Sequence, residues 1–452
     1  MSAAKPSASS ASGAAEVDRV LEAAIGKSMD ELAGVEPGRL VSLSVTLSPA
    51  LVAVDAALGG DSRWLAPGQG LAMYGSGAAA RFESEAAERF RSEGKRWRLL
   101  GAATDIPLAF FTAAAATTPA APTLWVPTAL VRRSPEGLVV TLSAWRDAAP
   151  PQQIARSWRH EAARVFAPEV GGARVPNEIR GVTTTPADEQ WRQRVRAATL
   201  AIAAGRFAKV VLARRLDIHL ANAVDAADLA DRLAAIHPEC HVFSLPHGRG
   251  WVVAASPEQL AAKRGRQLVS HALAGTAKRH GRPDEDARAA AALLCSTKER
   301  SEHALVVDSI AAQMAQICDA VEHPQTPAVM PLRFVQHLWT PVSGRLRDGF
   351  GLLDAVARLH PTPAVLGIPR QAASDWLAEV GERRDGLYSG IAGWIDGNGD
   401  GEAVVILRSA YVEDGNAVLW AGAGIMADSD PAAEMAETEL KLATMLEVLN
   451  AP

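Results

Sequence analysis

From Asp188 to the end of the chain, apolar positions recur in long, regular patterns. Asp188 to Ala204 reads as a helix, Phe207 to Leu220 as a strand, Ala226 to Ile236 as a helix and Arg249 to Ser256 as a strand. Leu268 to Ala272 suggests a further strand, and Asp284 to Ala320 has the composition of one or two long helices. A hairpin-like pair, Gly390 to Ile395 and Glu402 to Val412, is followed by a strand at Ala417 to Ala421 and a terminal helix from Asp430 to Leu449. Before residue 186 the texture changes. Short apolar runs (Leu40 to Leu47, Thr123 to Val131, Gly137 to Leu142) alternate with Gly/Pro-rich turns, and Phe166 to Thr185, with Pro168, Gly171, Gly172 and Pro176, reads as a connection. Residues 17–185 are therefore expected to pack as an N-terminal part on a catalytic part spanning 186–452. No internal repeat is found. Strands and helices mix without a strict βαβ rhythm, so the expected class is α/β in the α+β sense, with largely antiparallel pairing.

Composition narrows the partners. The 452 residues are 48% hydrophobic and 21% charged, and 46 basic against 51 acidic residues leave a net charge of −5. No overall basic field is available for nucleic acid or an anionic membrane, so an anionic substrate must be met by local cations. Cys240, Cys295 and Cys318 lack metal-ligand spacing and read as free thiols, the last two within a helical region. No apolar run approaches the roughly 18 residues needed to span a bilayer. Residues 1–16, rich in Ala and Ser, have neither the apolar core of a secretory signal nor the arginines of a presequence. A disordered tail and a cytoplasmic protein are the expectation.

Two motifs imitate sites. Gly422-Ala423-Gly424-Ile425-Met426-Ala427 follows a strand and precedes a helix, as a dinucleotide fingerprint does. That helix opens with Asp428, Ser429 and Asp430, however, whose carboxylates would oppose a pyrophosphate. A tight turn that lets the backbone approach a ligand or a sheet neighbour is the plainer reading. Asp396 to Glu402 resembles half of an EF-hand loop, but the twelfth position, which needs a bidentate Glu, is Leu407. A polar hairpin turn fits better.

The chemistry-bearing residues are few. Glu299 with Glu302, and Glu434 with Glu437, each lie three apart and so share a helical face, with Lys441 continuing the second face. Four carboxylates on two helices suit one hard cation such as Mg²⁺, and solvated helical charges are the competing explanation. Lys209 stands in an otherwise apolar strand, on the face of Phe207, Val211 and Ala213 by alternation. Loss of solvation there would lower its pKa and suit it to act as a general base, unless its stem simply reaches water. Glu258 occupies a strand-to-helix corner, where a desolvated carboxyl serves as a general acid or a first-turn acid serves the helix. Arg408 is a lone charge in an apolar strand, suited to a carboxylate or to a structural ion pair.

Taken in order, these segments resemble the chorismate-utilising enzymes, the family of isochorismate, anthranilate, aminodeoxychorismate and salicylate synthases. The matching stretches are Lys209 to Arg214, Ala255 to Glu258, Ala272 to Thr276, Lys298 to His303, Val335 to Leu338, His360 to Val365, Gly390 to Trp394, Ala421 to Ile425 and Asp430 to Lys441. The resemblance implies two large, mostly antiparallel β-sheets packed together with helices outside. It implies Mg²⁺ held by Glu302 and Glu437, with Glu299 and Glu434 behind through water. Arg408, Tyr388, Gly422, Lys441, His337, Gly275 and Thr276 fall where the family binds substrate. Lys209 matches the base that activates water, and Glu258 the acid that protonates the departing hydroxyl.

Within the family, Lys209 and Ala274 favour water over ammonia, since amine-installing relatives typically lack a lysine at the first place and some carry one at the second. The expected activity is isomerisation of chorismate to isochorismate, with no amidotransferase subunit, in a chain that is a monomer by default. The product would serve siderophore, menaquinone or salicylate synthesis. Tyr388 looks more like the salicylate synthases, which go on to eliminate pyruvate, so that activity stays open. A catalytically silent chorismate-binding homologue is the alternative of another class.

Overall fold

The computed structural model describes residues 8–48, 58–83, 97–101, 107–115, 122–147, 149–166 and 177–450. It is a mixed α/β chain with two large, mostly antiparallel sheets. Two units are separable: residues 1–111, 123–174 and 394–398 form one, and residues 112–122, 175–393 and 399–452 the other.

In the second unit, Lys209–Leu220 is the second strand of one run. It pairs antiparallel with Ile179–Thr185 on one side and with Asn416–Ile425 on the other. Ser409–Glu413, Gly250–Ser256 and His241–His247 continue the order beyond Asn416–Ile425. Strict alternation divides its faces. Val210 and Leu212 join a core with Trp191, Val195, Ala198, Trp376, Leu377 and Met435, supplied by the helices Asp188–Ala203, Arg370–Glu379 and Pro431–Leu449. Lys209 and Val211 take the opposite face. Phe207, expected beside them, precedes the strand and packs on Trp376 in the helical core, with ring centroids 5.3 Å apart.

A second run in this unit is ordered Cys318–Glu322, Val335–Leu346, Gln267–Lys278, Gln259–Arg264, Gly401–Val405. Thr297–Met314 is tied to it through His303, whose ring meets the Thr340 hydroxyl at 2.8 Å and the Ala274 carbonyl at 3.2 Å. The first unit has its own run, Ser62–Ala66, Leu71–Ser76, Ala129–Ser134, Gly137–Arg146, Arg39–Leu47, Arg98–Leu100. The helices Ala8–Gly34 and Pro151–Phe166 cover it, burying Val17, Leu21, Ile25, Trp158 and Val165 against Val41, Val131 and Val140.

Several local expectations change. The Ala/Ser-rich start is helical from Ala8 rather than disordered, because Ala carries good helix propensity; residues 1–7 lie outside the described ones. Ile179–Thr185 is a strand of the second unit rather than part of a connection, since it pairs along Lys209–Leu220; residues 167–176 of that connection lie outside the described ones. Cys318 opens a strand where a helix was expected, the helix having ended at Met314. Glu402 to Val412 is two strands with a break at Ile406 to Arg408, and each belongs to a different run. Gly422 to Ile425 is neither a phosphate loop nor a turn but the end of the strand Asn416–Ile425.

Candidate active site

One cavity in the second unit gathers nearly all the candidate residues. Lys209, Glu258, Gly275, Thr276, Glu302, His337, Tyr388, Arg408, Gly422, Glu437 and Lys441 line it. Glu299 and Glu434 stand immediately behind.

Lys209 is 1% exposed, and alternation could not reveal its partner: Nζ donates to Glu302 Oε1 at 2.6 Å. The ammonium therefore meets a carboxylate instead of apolar neighbours alone. Two glycines across the strand pair make room. A Cβ at Gly424 would lie 2.7 Å from Lys209 Cε and 2.9 Å from Glu302 Oε1, and one at Gly422 would lie 2.8 Å from the Tyr388 hydroxyl. The Gly-Ala-Gly spacing thus serves side chains passing over a strand.

Gly275 sits at a bulge between Ala274 and Thr276, with φ +79°, where an L side chain would be strained. The bulge turns the Thr276 N–H toward Glu299, which accepts at 2.9 Å. Glu299 lies in the first turn of Thr297–Met314, whose N-cap Ser296 accepts from the Glu299 N–H at 3.3 Å. Glu434 has the matching place in Pro431–Leu449, capped by Asp430. Burial, then the neighbouring Glu437, pushes the Glu434 carboxyl up to about 7. Burial likewise raises Glu299, with Glu302 and Glu437 adding to it against the Thr276 N–H. Glu437 accepts from Lys441 Nζ at 2.6 Å, and Lys441 also donates to the Gly422 carbonyl at 2.8 Å.

Hard oxygen donors that raise one another's pKa suit a dication. Yet no three of these carboxylates have oxygens within 4.8 Å of one another. Three of the four face lysines: Glu302 meets Lys209 and Glu437 meets Lys441, each at 2.6 Å, and Glu434 lies 4.0 Å from Lys298.

Glu258 follows the strand Gly250–Ser256 and is 2% exposed. Its carboxyl is pushed up to about 7 by burial, against the Thr362 hydrogen bond, Lys209 and Lys441. Thr362 Oγ1 donates to Glu258 Oε1 at 3.1 Å. Thr362 was not singled out in the sequence, although it lies inside the His360 to Val365 segment. Arg408 does not lie in a strand. It occupies the break before Ser409 with φ +49°, an uncommon conformation for a side-chain-bearing residue. Its guanidinium donates to His337 Nε2 at 2.9 Å. The other His337 nitrogen meets the Thr276 hydroxyl at 3.1 Å and the Gly275 carbonyl at 3.2 Å. Burial, then Arg408 and Lys441, hold His337 well below its ordinary pKa, so its ring is neutral. Tyr388 stacks on Trp420 at 5.5 Å, and burial raises its phenol to about 12.

The cavity therefore sets Arg408 and Lys441 beside a buried carboxyl of raised pKa, with Lys209 and the paired carboxylates between the two strand runs of the second unit. That arrangement agrees with the family match: residues 39–450 fit the family of chorismate binding enzymes, and the chain belongs to it. It is 41% identical over 262 residues to the salicylate biosynthesis isochorismate synthase of Pseudomonas aeruginosa, covering 58% of this chain and 55% of that protein. It is 31% identical over 329 residues to the isochorismate synthase MenF of Bacillus subtilis, covering 72% and 69% respectively. Its structure is similar to that of MenF, the menaquinone-specific isochorismate synthase from Escherichia coli, with a TM-score of 0.81 at 25% identity over 95% of this chain and 100% of that one. Among the described residues no helix is long and apolar enough to cross a membrane.

Proposed function

We propose that the chain is an isochorismate synthase, an isomerase that converts chorismate to isochorismate with Mg²⁺. The carrying observation is one cavity that holds both a lysine and a carboxyl pushed up to about 7, next to Arg408 and Lys441. The names of the relatives support the same reading.

Water is a weak nucleophile and hydroxide a poor leaving group, so the reaction needs a base at one ring carbon and an acid at another. Lys209 takes a proton from water as its oxygen bonds to the ring. Glu258, with its pKa at about 7, is substantially protonated at neutral pH. It gives a proton to the departing hydroxyl, which leaves as water while the ring double bonds shift. One water enters and one leaves, so the formula is unchanged. For Lys209 to act as a base, a proton of the ammonium that donates to Glu302 must first pass to that carboxylate or to solvent. Arg408 and Lys441 hold the substrate carboxylates, and His337 fixes Arg408 as a neutral acceptor. Tyr388, Gly422, Gly275 and Thr276 shape the remaining wall. Bound between Glu302 and Glu437, with Glu299 and Glu434 behind them, Mg²⁺ would neutralise and orient a carboxylate beside the reacting ring.

Incubating the protein with chorismate and Mg²⁺ and separating the products tests this. Isochorismate alone is expected. Salicylate with pyruvate would move the assignment to a salicylate synthase. Unchanged chorismate would mark a silent binding homologue.

A further inference from the structure

The turn from the helix Ala226–Ile236 into the strand His241–His247 gathers three donors of a different kind. His237 caps the helix, Pro238 prevents its continuation, and the Cys240 N–H closes the turn on the His237 carbonyl at 3.0 Å. The ring nitrogens of His237, the carboxylate of Glu239 and the thiol of Cys240 each place a donor atom within 4.8 Å of the other two. Among the described residues no other group of three His, Cys, Asp or Glu side chains is so gathered. The cysteines alone show no ligand spacing; the donors come from a histidine and a glutamate beside one of them.

His237 provides the independent observation. It is 0% exposed, and neither ring nitrogen has a hydrogen-bond partner; the Glu239 oxygen, at 3.8 Å from Nδ1, is too far to serve. Nδ1 faces the Glu239 carboxylate at ion-pair distance, which against the effect of burial lowers that carboxyl's pKa, while Nε2 is buried with no partner at all; a bound ion would answer it. From these placements we infer that His237, Glu239 and Cys240 form a binding site for a single Zn²⁺ ion, distinct from the four-glutamate site.

The donor set selects the metal. Nitrogen, thiolate sulfur and one carboxylate suit a borderline-soft, tetrahedral ion with water in the fourth place, whereas Mg²⁺ prefers oxygen throughout. Donors in such a site stand roughly 3.3–3.8 Å apart by the bond lengths involved, so the side chains close by about 1 Å on binding. Glu239 is 27% exposed at its side chain and opens a path from solvent. The C-terminal end of Ala226–Ile236 adds a favourable field for a cation. Arg408 opposes it, since its charge acts on both Cys240 and Glu239. Burial pushes the Cys240 thiol up to about 12, so the metal must displace its proton.

The test uses the full chain, reduced, stripped with EDTA and desalted, then given Zn²⁺ and desalted again in the presence of excess Mg²⁺. One equivalent of Zn²⁺ is expected to remain in the unsubstituted protein, in Glu302→Ala and in Cys295→Ser, which removes the exposed thiol. Affinity should fall by more than roughly tenfold in Cys240→Ser and in His237→Gln. Co²⁺ in place of Zn²⁺ should give thiolate-to-cobalt charge-transfer absorption that Cys240→Ser removes, a readout independent of whether His237→Gln folds. Displacement of all Zn²⁺ by Mg²⁺, full retention in Cys240→Ser, or loss in Glu302→Ala instead would each overturn the site.

Discussion

Glu258 and Glu434 stand at different sides of the same neighbourhood, and both carboxyls are pushed up to about 7. Burial leads in each, but the lesser influences differ in sign. Around Glu258 every further influence works downward: the Thr362 hydroxyl, Lys209 and Lys441. Around Glu434 the next influence is a like charge, Glu437, which raises it further; the Ser429 hydrogen bond and Lys298 lower it, and Glu302 raises it again. The first is a lone acid whose pKa burial raises in spite of cations. The second belongs to a crowd of carboxylates whose like charges add to burial, although lysines stand against three of the four. A perturbed pKa alone does not separate the proposed proton donor from the proposed cation site; the presence of like charges among the neighbours of Glu434, and their absence around Glu258, is what differs.

The comparison breaks most sharply if Glu258 is not the acid. Glu258→Gln keeps the shape and removes the proton, and turnover should fall by about 10²–10⁴-fold while the circular dichroism spectrum is unchanged. Lys209→Ala should cost a similar factor. Its partner Glu302 borders the cavity with 14% of its side chain exposed, so the orphaned carboxylate keeps access to water. Near-normal kcat in either variant would remove the acid/base assignment.

On the carboxylate side, Glu302→Ala and Glu437→Ala should each mimic chelation by EDTA, with activity lost and poorly restored by added Mg²⁺. Glu302→Ala also strands the buried Lys209, a change that costs about 3–5 kcal/mol when a buried pair loses one partner. Thermal melting should therefore separate the two variants, Glu302→Ala being the less stable. Full activity in EDTA would leave the crowd of carboxylates without a metal role.

The pH profile sharpens the difference further. Glu258 must carry its proton to act, and its pKa lies at about 7, so the active fraction is full well below that pH. It falls tenfold per unit well above it. The alkaline limb of kcat/KM for the free enzyme should therefore bend at about 7 and be absent from the residual rate of Glu258→Gln. A profile of the same shape in Glu258→Gln as in the parent would show that some other group donates the proton.

Much of this site could be read from the residues. Lys209, Glu258, Arg408 and both Glu pairs announce themselves as charges within apolar segments or paired on one helical face, although Glu258 proves to lie between the strands Gly250–Ser256 and Gln259–Arg264 rather than before a helix, and Arg408 in a break rather than in a strand. The long strands and helices after Asp188 were legible for the same reason, through period. What escaped depends on pairing between distant segments. Lys209 and Glu302 are 93 positions apart, and nothing in either segment says that they touch. Gly424 looked like part of a phosphate loop because its true reason, a lysine side chain lying over it, comes from a neighbouring strand. Ile179–Thr185 was missed as a strand because its pairing, more than its own mixed burial, makes it one.

Thr362 is the case where a small effect discriminates best. Its hydroxyl donates to Glu258 and lowers that carboxyl's pKa, favouring the ionised form. Thr362→Val keeps the volume and removes the donor, so the pKa should rise and the alkaline limb of kcat/KM should move upward. A hydrogen bond worth about 0.5–1.5 kcal/mol corresponds to at most roughly one unit. At about pH 6 the rate should change by less than about threefold, because the acid is already mostly protonated there; above about pH 8 the variant should equal or exceed the parent. If Thr362 served only to pack the wall, the rate would fall equally at every pH and the limb would stay in place. A limb that moves, in a variant whose rate in mild acid does not, ties the proton donor to this one carboxyl, since the Thr362 hydroxyl donates to Glu258 and not to Glu299, Glu302, Glu434 or Glu437.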